Sequence, residues 1–139
     1  MGQVKVNDKS NEITAIPELI KVLELSGCLV TIDAMGTQTQ IAQLIQDKGA
    51  DYCLALKGNH KYLHERVIEL FALAEKQDWS GVEPDFHRTI EKGHGRTEIR
   101  RYWTMPATEL FFDQDQWIGL KSVGKSGICQ KNRHQNKYF

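Results

Sequence analysis

The sequence predicts an α/β protein, and three observations carry that prediction. Nearly continuous apolar, β-rich runs at residues 28–32 and 52–56 are typical of strands that are covered on both faces. Each run is followed by a segment whose apolar residues recur at helical spacing. The 139 residues include 40% apolar side chains, which is enough for one domain with its own core. Because each crossover carries a helix, we expect the two runs to pair in parallel.

Turn and cap residues give the order of the elements. Pro17 suits the first turn of a helix, and Gly27 and Gly49 are natural helix ends. Thr37 or Thr39 can cap the second helix. The expected order is strand 3–6, a helix ending at Gly27, strand 28–32, helix 39–49, strand 52–56, helix 60–76 and a β-hairpin with arms 86–91 and 97–104.

The charges divide the chain into two parts. All 18 acidic residues lie between Asp8 and Asp115, whereas residues 121–139 carry five basic residues and no acidic one. We therefore expect a domain over residues 1–123, with the hairpin at about 85–105, and a basic tail over 124–139. The tail shows no periodicity, which favours disorder, although a basic arm could also hold nucleic acid through phosphate contacts.

Several function classes find no support in the sequence. No apolar run approaches the ~20 residues of a membrane span, and the N-terminus lacks the pattern of a signal peptide, so we expect a cytoplasmic protein. Cys28, Cys53 and Cys129 show no C-x-x-C spacing, which argues against a disulfide framework or a zinc site. His60 and His64 lack the glutamate of an H-E-x-x-H motif, and no nucleotide-binding loop or serine-hydrolase motif is present.

Two groups of polar residues follow the apolar strands. Asp33 comes directly after strand 28–32, and Lys57 and Asn59 follow strand 52–56. The carboxyl ends of parallel strands form the rim where open α/β sheets bind ligands. Asp33 could hold a divalent cation there, and Lys57 with Asn59 could grip a phosphate backbone. Two alternatives stay open: Asp33 could bond its own backbone in a turn, and Asn59 could cap the following helix.

The predicted hairpin carries the densest basic cluster in the first 123 residues. His94, Arg96 and Arg100 could reach a DNA groove or backbone from this hairpin. A cluster like this more often forms a solvated face, and Glu98 could pair with the neighbouring arginines.

Four blocks of the sequence carry a family resemblance: residues 2–17, 31–36, 51–59 and 91–100. Together they closely resemble the insertion-sequence transposases that include the H-repeat-associated proteins of bacterial Rhs elements. The resemblance extends from residue 2 to about 123, and the blocks occur in the family's order and spacing.

The resemblance implies an RNase H-like DDE enzyme that cleaves DNA and transfers strands when an insertion sequence transposes. In such enzymes three carboxylates hold two Mg²⁺ (or Mn²⁺) ions for in-line attack on a phosphodiester. The resemblance makes Asp33 the second carboxylate, hence catalytic and metal-binding, and it matches no residue here to the first or the third. It therefore implies three strand-helix units and a hairpin insertion, a partial RNase H-like fold truncated at both ends, and a chain that is inactive alone.

Glu98 is not expected to replace a missing ligand, because the resemblance places it in the hairpin block. A second hypothesis is a non-catalytic DNA-binding or subunit-interaction remnant that uses Lys57, Arg96, Arg100 and the tail. A small-ligand α/β domain at the same rim is less favoured, since no phosphate-binding loop accompanies it. The expected partners are the DNA ends of the insertion sequence and a second copy of the chain through uncovered sheet edges, with no membrane and no small-molecule substrate.

Overall fold

The computed structural model of the protein describes residues 12–93, 96–107, 116–130 and 133–139. These residues form two compact units: the first contains the described parts of 1–59 and 112–120, and the second those of 60–111 and 121–139. The predicted strand at 3–6 and His94 lie outside the described residues. Within the described ranges, no helix combines the length and the apolar character that a membrane span requires.

The first unit contains two parallel strands, each reached from a helix. Strand β1 (Leu29–Ile32) and strand β2 (Asp51–Leu54) pair in the register Leu29 to Asp51 and Ile32 to Leu54. Helix α1 (Glu12–Val22) precedes β1, and helix α2 (Thr39–Asp47) connects the two strands. A short 3₁₀ helix, Ala34–Gly36, follows β1 directly. The prediction of a parallel pair with a helical crossover is confirmed.

The core of the first unit lies on one side of this strand pair. Ile20, Ile41 and Ile45 are buried there, and Val30 and Ile32 of β1 pack against them. The alternate residues of β1 point away, and Leu29 is 64% exposed. The prediction that this strand is covered on both faces is therefore wrong, because a run of apolar residues does not by itself reveal how many faces are covered.

Two glycines close the ends of the first unit's elements. Gly27 and Gly49 have φ of 73° and 67°, the left-handed region that glycine enters without a steric cost. Helix α1 ends at Val22, a turn earlier than expected, and Gly27 then donates its N–H to the carbonyl of Gly49 at 2.9 Å. The two turns thereby bring the starts of β1 and β2 side by side.

The second unit packs one helix on a four-stranded antiparallel sheet. The helix is α3 (Lys61–Lys76), and the strands are β3 (Asp85–Gly93), β4 (Arg96–Pro106), β5 (Ser122–Gln130) and β6 (Arg133–Tyr138), in that spatial order. The predicted hairpin is confirmed as β3 and β4. Phe71 of α3 is fully buried, and its ring centroid lies 6.4 Å from that of Trp79 and 6.2 Å from that of Tyr138.

The tail differs from its expected disorder. Strand β5 pairs with β4 from Glu98 opposite Gln130 to Pro106 opposite Ser122, and β6 pairs with β5 in turn. Strand β5 begins at Ser122, and its partner in the upstream hairpin is β4. Small and polar residues mask these strands in the sequence, because main-chain pairing between distant segments leaves no local pattern. The chain is a mixed α/β protein, as predicted.

Candidate functional site

Asp33 occupies the carboxyl end of β1, immediately before the 3₁₀ helix. Its side chain is the cap of that helix, and Oδ1 accepts a hydrogen bond from the N–H of Met35 at 3.1 Å. This is the turn that the sequence left open as an alternative role for Asp33. The bond orients the carboxylate but engages only one of its two oxygens, and each oxygen has two lone pairs. The exposed Asp33 side chain can therefore stabilise the turn and still bind a metal ion.

The loops that follow β1 and β2 are tied together by hydrogen bonds. Ala55 donates its N–H to the carbonyl of Ile32 at 3.0 Å, and the hydroxyl of Thr37 donates to the carbonyl of Ala55 at 2.6 Å. The side-chain amide of Asn59 donates to the carbonyl of Ala34. Asp33 and Asn59 therefore lie at the same rim of the parallel pair. We call this rim, with Thr37 and with Lys57 from the loop after β2, the rim site.

The structure shows neither of the helix caps that the sequence allowed, and Thr37 and Asn59 instead build the rim site. Helix α2 begins after Gln38, so neither Thr37 nor Thr39 is its cap, and Thr37 is buried beneath the rim. Helix α3 begins after His60, so Asn59 does not cap it. Sequence reasoning reached Asn59 by its position but missed this role of Thr37. The available signal was a hydroxyl residue within the turn that follows an apolar strand.

Gly36 lets the loop after Asp33 pack closely. A Cβ atom built on Gly36 would lie 2.3 Å from Cγ2 of Ile32 and 2.7 Å from Cδ1 of Ile16. Any larger residue would push against both β1 and α1. The close approach therefore fixes the backbone that carries Asp33.

The rim site offers one carboxylate, one amide and one ammonium group. Lys57 and Asn59 are exposed, and the Asn59 amide already donates to the backbone. A two-ion centre needs several carboxylate ligands. The residues described for the chain contain no group of three or more His, Cys, Asp and Glu side chains that could hold a metal ion. The donor set present at the rim therefore does not fit two divalent ions by itself.

The predicted DNA-contacting residues of the hairpin belong to the second unit. Arg100 donates from Nε to a carboxylate oxygen of Glu98 on the same strand. Hydrogen bonds to Glu98 and to Tyr102 raise the pKa of Arg100, with the charge of Glu98 adding to the effect. Glu98 thus pairs with a neighbouring arginine, which is the structural role that the sequence suggested for it. Arg96 begins β4 with a side chain outside the described set, and His94 lies outside the described residues.

Comparisons with known proteins agree on one family. Residues 1–109 match the family described as the transposase DDE domain. The chain is 47% identical over 124 residues to "Putative transposase YncI" of Escherichia coli O157:H7, covering 88% of this chain and 31% of that protein. It is 42% identical over 124 residues to "H repeat-associated putative transposase YhhI" of Escherichia coli K12, covering 88% of this chain and 32% of that protein.

A third relative is "H repeat-associated putative transposase YbfD" of Escherichia coli K12, 45% identical over 100 residues, or 72% of this chain and 38% of that protein. The chain thus spans about a third of the length of these curated relatives. No solved structure gives a significant match. The family match covers well over half of the chain, and the chain belongs to the transposase DDE domain family.

Proposed function

We propose that this chain is the part of a DDE transposase that carries the second catalytic carboxylate, Asp33. The intact enzyme would cleave DNA at the ends of an insertion sequence and transfer the strands. The observation that supports this most directly is the position of Asp33 at the carboxyl end of a parallel strand, in a loop tied to the next strand's exit. Ligands of open α/β sheets bind at this place.

The fold and cofactor proposals follow from the same family. We take the strand-helix units of residues 1–123 as part of an RNase H-like domain, with the hairpin of about 85–105 as an insertion into it. Mg²⁺ or Mn²⁺ would serve the intact enzyme by stabilising the attacking and leaving oxygens of the phosphodiester. Asp33 would supply one of the ligands, and a cytoplasmic location stays a prediction.

We expect the 139-residue chain to be inactive alone, because one matched carboxylate cannot position two ions. The test is to incubate the purified chain with Mg²⁺ or Mn²⁺ and a supercoiled plasmid that carries insertion-sequence ends. The expected result is no nicking above the buffer control. Nicking that Asp33→Ala abolishes and Asp47→Ala preserves would contradict this proposal, since Asp47 is an exposed aspartate on α2 outside the rim site.

A second candidate function is a non-catalytic piece that binds DNA or another subunit. The favouring observation is that β3 and β6 form the two edges of the described sheet and Phe86 on β3 is 53% exposed. Exposed edges and apolar side chains promote association. Light scattering should then show a mass above that of one chain, and a monomer at high concentration would contradict it.

A further inference from the structure

Strand β3 is an edge of the sheet in the second unit. It pairs with β4 from Asp85 opposite Thr104 to Gly93 opposite Arg96, and among the described residues no strand pairs with its other side. Residues 85–92 are all exposed except Thr89, which is half-buried. An edge strand leaves a row of main-chain N–H and C=O groups unpaired, and these groups can pair with another strand.

Strand β3 has few of the features that keep an edge from pairing. Natural edges are protected by short strands, bulges or proline. Strand β3 has nine residues, against about 5–6 in a typical strand, and it contains no bulge and no proline. Its Phe86 and Ile90 side chains are 53% and 52% exposed, and they lie on the same face because side chains alternate along a strand. A partner beside β3 would cover part of this apolar surface.

The charges of β3 fit a second copy of the same strand. Strand β3 has two acidic and two basic residues: Asp85, Glu91, Arg88 and Lys92. Strand β6, the other edge, carries Arg133 and Lys137 and no acidic residue. Two β6 strands would therefore bring only cations together, whereas two β3 strands can set unlike groups opposite each other.

Symmetry and charge determine the register of such a pairing. Two identical antiparallel strands are related by a two-fold axis, which passes between a residue and its own copy. An axis at Thr89 pairs all nine residues of β3 and sets no like charges opposite each other. An axis at Arg88 would set Arg88 against itself, and an axis at Ile90 would set Arg88 against Lys92. Because like charges directly opposite are destabilising in a sheet, Thr89 is the favoured centre.

On one face of the joined strands this register would bring His87 opposite Glu91 of the second copy. An imidazole has an N–H that can donate to a carboxylate, whether the ring is neutral or charged. Within its own sheet, Glu91 lies opposite Glu98, which already pairs with Arg100. The second copy would therefore give Glu91 a hydrogen-bond donor in place of a further carboxylate.

On the other face the register would cover the exposed apolar groups. Arg88 would lie opposite Ile90 of the second copy, and Lys92 opposite Phe86. Long basic side chains pack their alkyl stems on apolar surface and keep their charge in water. A lysine ammonium is also attracted to the face of a phenylalanine ring. Because of the two-fold axis, Phe86 and Ile90 of both copies would be covered.

We propose that β3 pairs with β3 of a second copy, antiparallel and centred on Thr89, so that two four-stranded sheets form one sheet of eight strands. Hydrogen-bonded and non-hydrogen-bonded pairs alternate, so nine residue pairs give about eight to ten main-chain hydrogen bonds. The inference rests on the second candidate function and names its partner as another copy of this chain. It does not involve Asp33, which belongs to the first unit.

The register is tested by disulfide cross-linking of the full chain. Thr89→Cys, combined with Cys28→Ser to remove an exposed thiol, should form a covalent dimer under mild oxidation. Directly opposite residues have Cα atoms about 4.5–5.5 Å apart, within the range of about 4.4–6.8 Å for a disulfide. Thr97→Cys in the same background is the matched control, because Thr97 is an exposed threonine of β4, one strand away from the edge. It should stay monomeric on a non-reducing gel, and equal cross-linking of both variants would overturn the proposal.

A charge exchange tests the same register in solution. His87→Glu sets carboxylates opposite each other, and Glu91→Lys sets a lysine opposite an imidazole. Each variant should raise the dissociation constant of the dimer about tenfold in sedimentation measurements, because the pair occurs twice in the interface. The double variant should return the constant to within about threefold of the wild type. Glu65→Lys, the same charge change at an exposed site on α3, should leave it unchanged.

Other outcomes separate this proposal from the second candidate function. Circular dichroism melts verify that each variant folds, and Thr89→Cys tests the pairing without a change of charge. Association that neither charge variant weakens would overturn the β3 interface and leave the second candidate function standing. A mass that grows beyond two chains with concentration would indicate head-to-tail pairing of β3 with β6 and overturn the proposal.

Two results would overturn the proposal more broadly. A chain that is monomeric at high concentration would contradict both the pairing and subunit binding. A dimer that forms only after an oligonucleotide is added would mean that DNA bridges the copies. Neither result bears on Asp33, whose role has its own nicking test.

Discussion

The two units of the molecule hold their polar residues in place by different means. In the first unit, Asp33 is fixed by a hydrogen bond from the N–H of Met35, and Thr37 and Asn59 are fixed by hydrogen bonds to backbone carbonyls 18 and 25 residues away. In the second unit, Lys125 is fixed by Glu75, 50 residues away, and by the ring of Trp103. Hydrogen bonds to backbone atoms thus set the geometry of the rim site, whereas contacts between side chains set the position of Lys125. The second unit should therefore be the more sensitive to changes in packing.

The largest expected effect is loss of the aromatic centre of the second unit. Phe71→Ala removes a fully buried ring that contacts Trp79 and Tyr138, and we expect it to lower the free energy of unfolding by about 3–5 kcal/mol. Leu73→Ala on the same helix is the control: its side chain is 52% exposed, so the change should stay within about 0.5 kcal/mol. Urea unfolding followed by tryptophan fluorescence measures both, and equal effects would contradict the packing described for α3.

The next effect separates the two halves of the ion pair in the second unit. Glu75→Ala leaves the Lys125 ammonium buried without its carboxylate, and we expect a loss of about 2 kcal/mol. Lys125→Met should cost less, about 1 kcal/mol, because the Glu75 side chain is 41% exposed and can be hydrated. Equal losses in urea unfolding would mean that burial of the lysine does not dominate the pair.

A smaller effect is expected at the rim of the first unit. Thr37→Val keeps the shape of a side chain that is 2% exposed but removes the hydrogen bond to the carbonyl of Ala55, at a cost of about 1–2 kcal/mol. The matched control is Thr31→Val, which changes an exposed residue of β1 and should be nearly neutral. Amide hydrogen exchange should show faster exchange for Ala55 in Thr37→Val alone. Unchanged exchange would argue against the bond as a tie between the two loops.

The smallest effect is a dependence of the first unit's stability on alkaline pH. Burial raises the pKa of the Cys53 thiol and of the Tyr52 phenol, whose hydroxyl donates to the carbonyl of Ile118 at 2.9 Å. Both groups ionise in the unfolded chain before they do so in the folded one. Their contribution to the free energy of unfolding is therefore complete below about pH 8. It is lost as the pH rises through the raised pKa values of the two groups in the folded chain. Cys53→Ala with Tyr52→Phe should flatten urea midpoints measured across this range, and an unchanged pH profile would contradict the assignment.

The sequence predicts the first unit better than the second, for physical reasons. Helices and covered strands leave apolar periodicities within a short window, so α2, β2 and the position of Asp33 could be located from the residues alone. Strands β5 and β6 contain glycine, serine and charged residues, and their order comes from pairing with β4. The sequence therefore placed Lys125 in the basic tail, whereas the structure shows it buried.

The rim site shows the same division at the level of single residues. The placement of Asp33, Lys57 and Asn59 after the strand ends could be predicted, because each of them follows an apolar run in the sequence. The bonds from Thr37 to Ala55 and from Asn59 to Ala34 could not, since each depends on how two loops meet in space. The pairing of Lys125 with Glu75 was also beyond the sequence, because the two residues lie 50 positions apart and meet only when α3 packs on the sheet.

The measurement that tests the central claim most directly is transposition by a chimera. The 124 matched residues of this chain would replace their counterparts in a full-length relative that transposes in cells. The account predicts that the chimera transposes, that Asp33→Asn abolishes transposition, and that Asp47→Asn preserves it. Transposition by the Asp33→Asn chimera at the level of the unmodified chimera would contradict the role of Asp33 as a catalytic carboxylate.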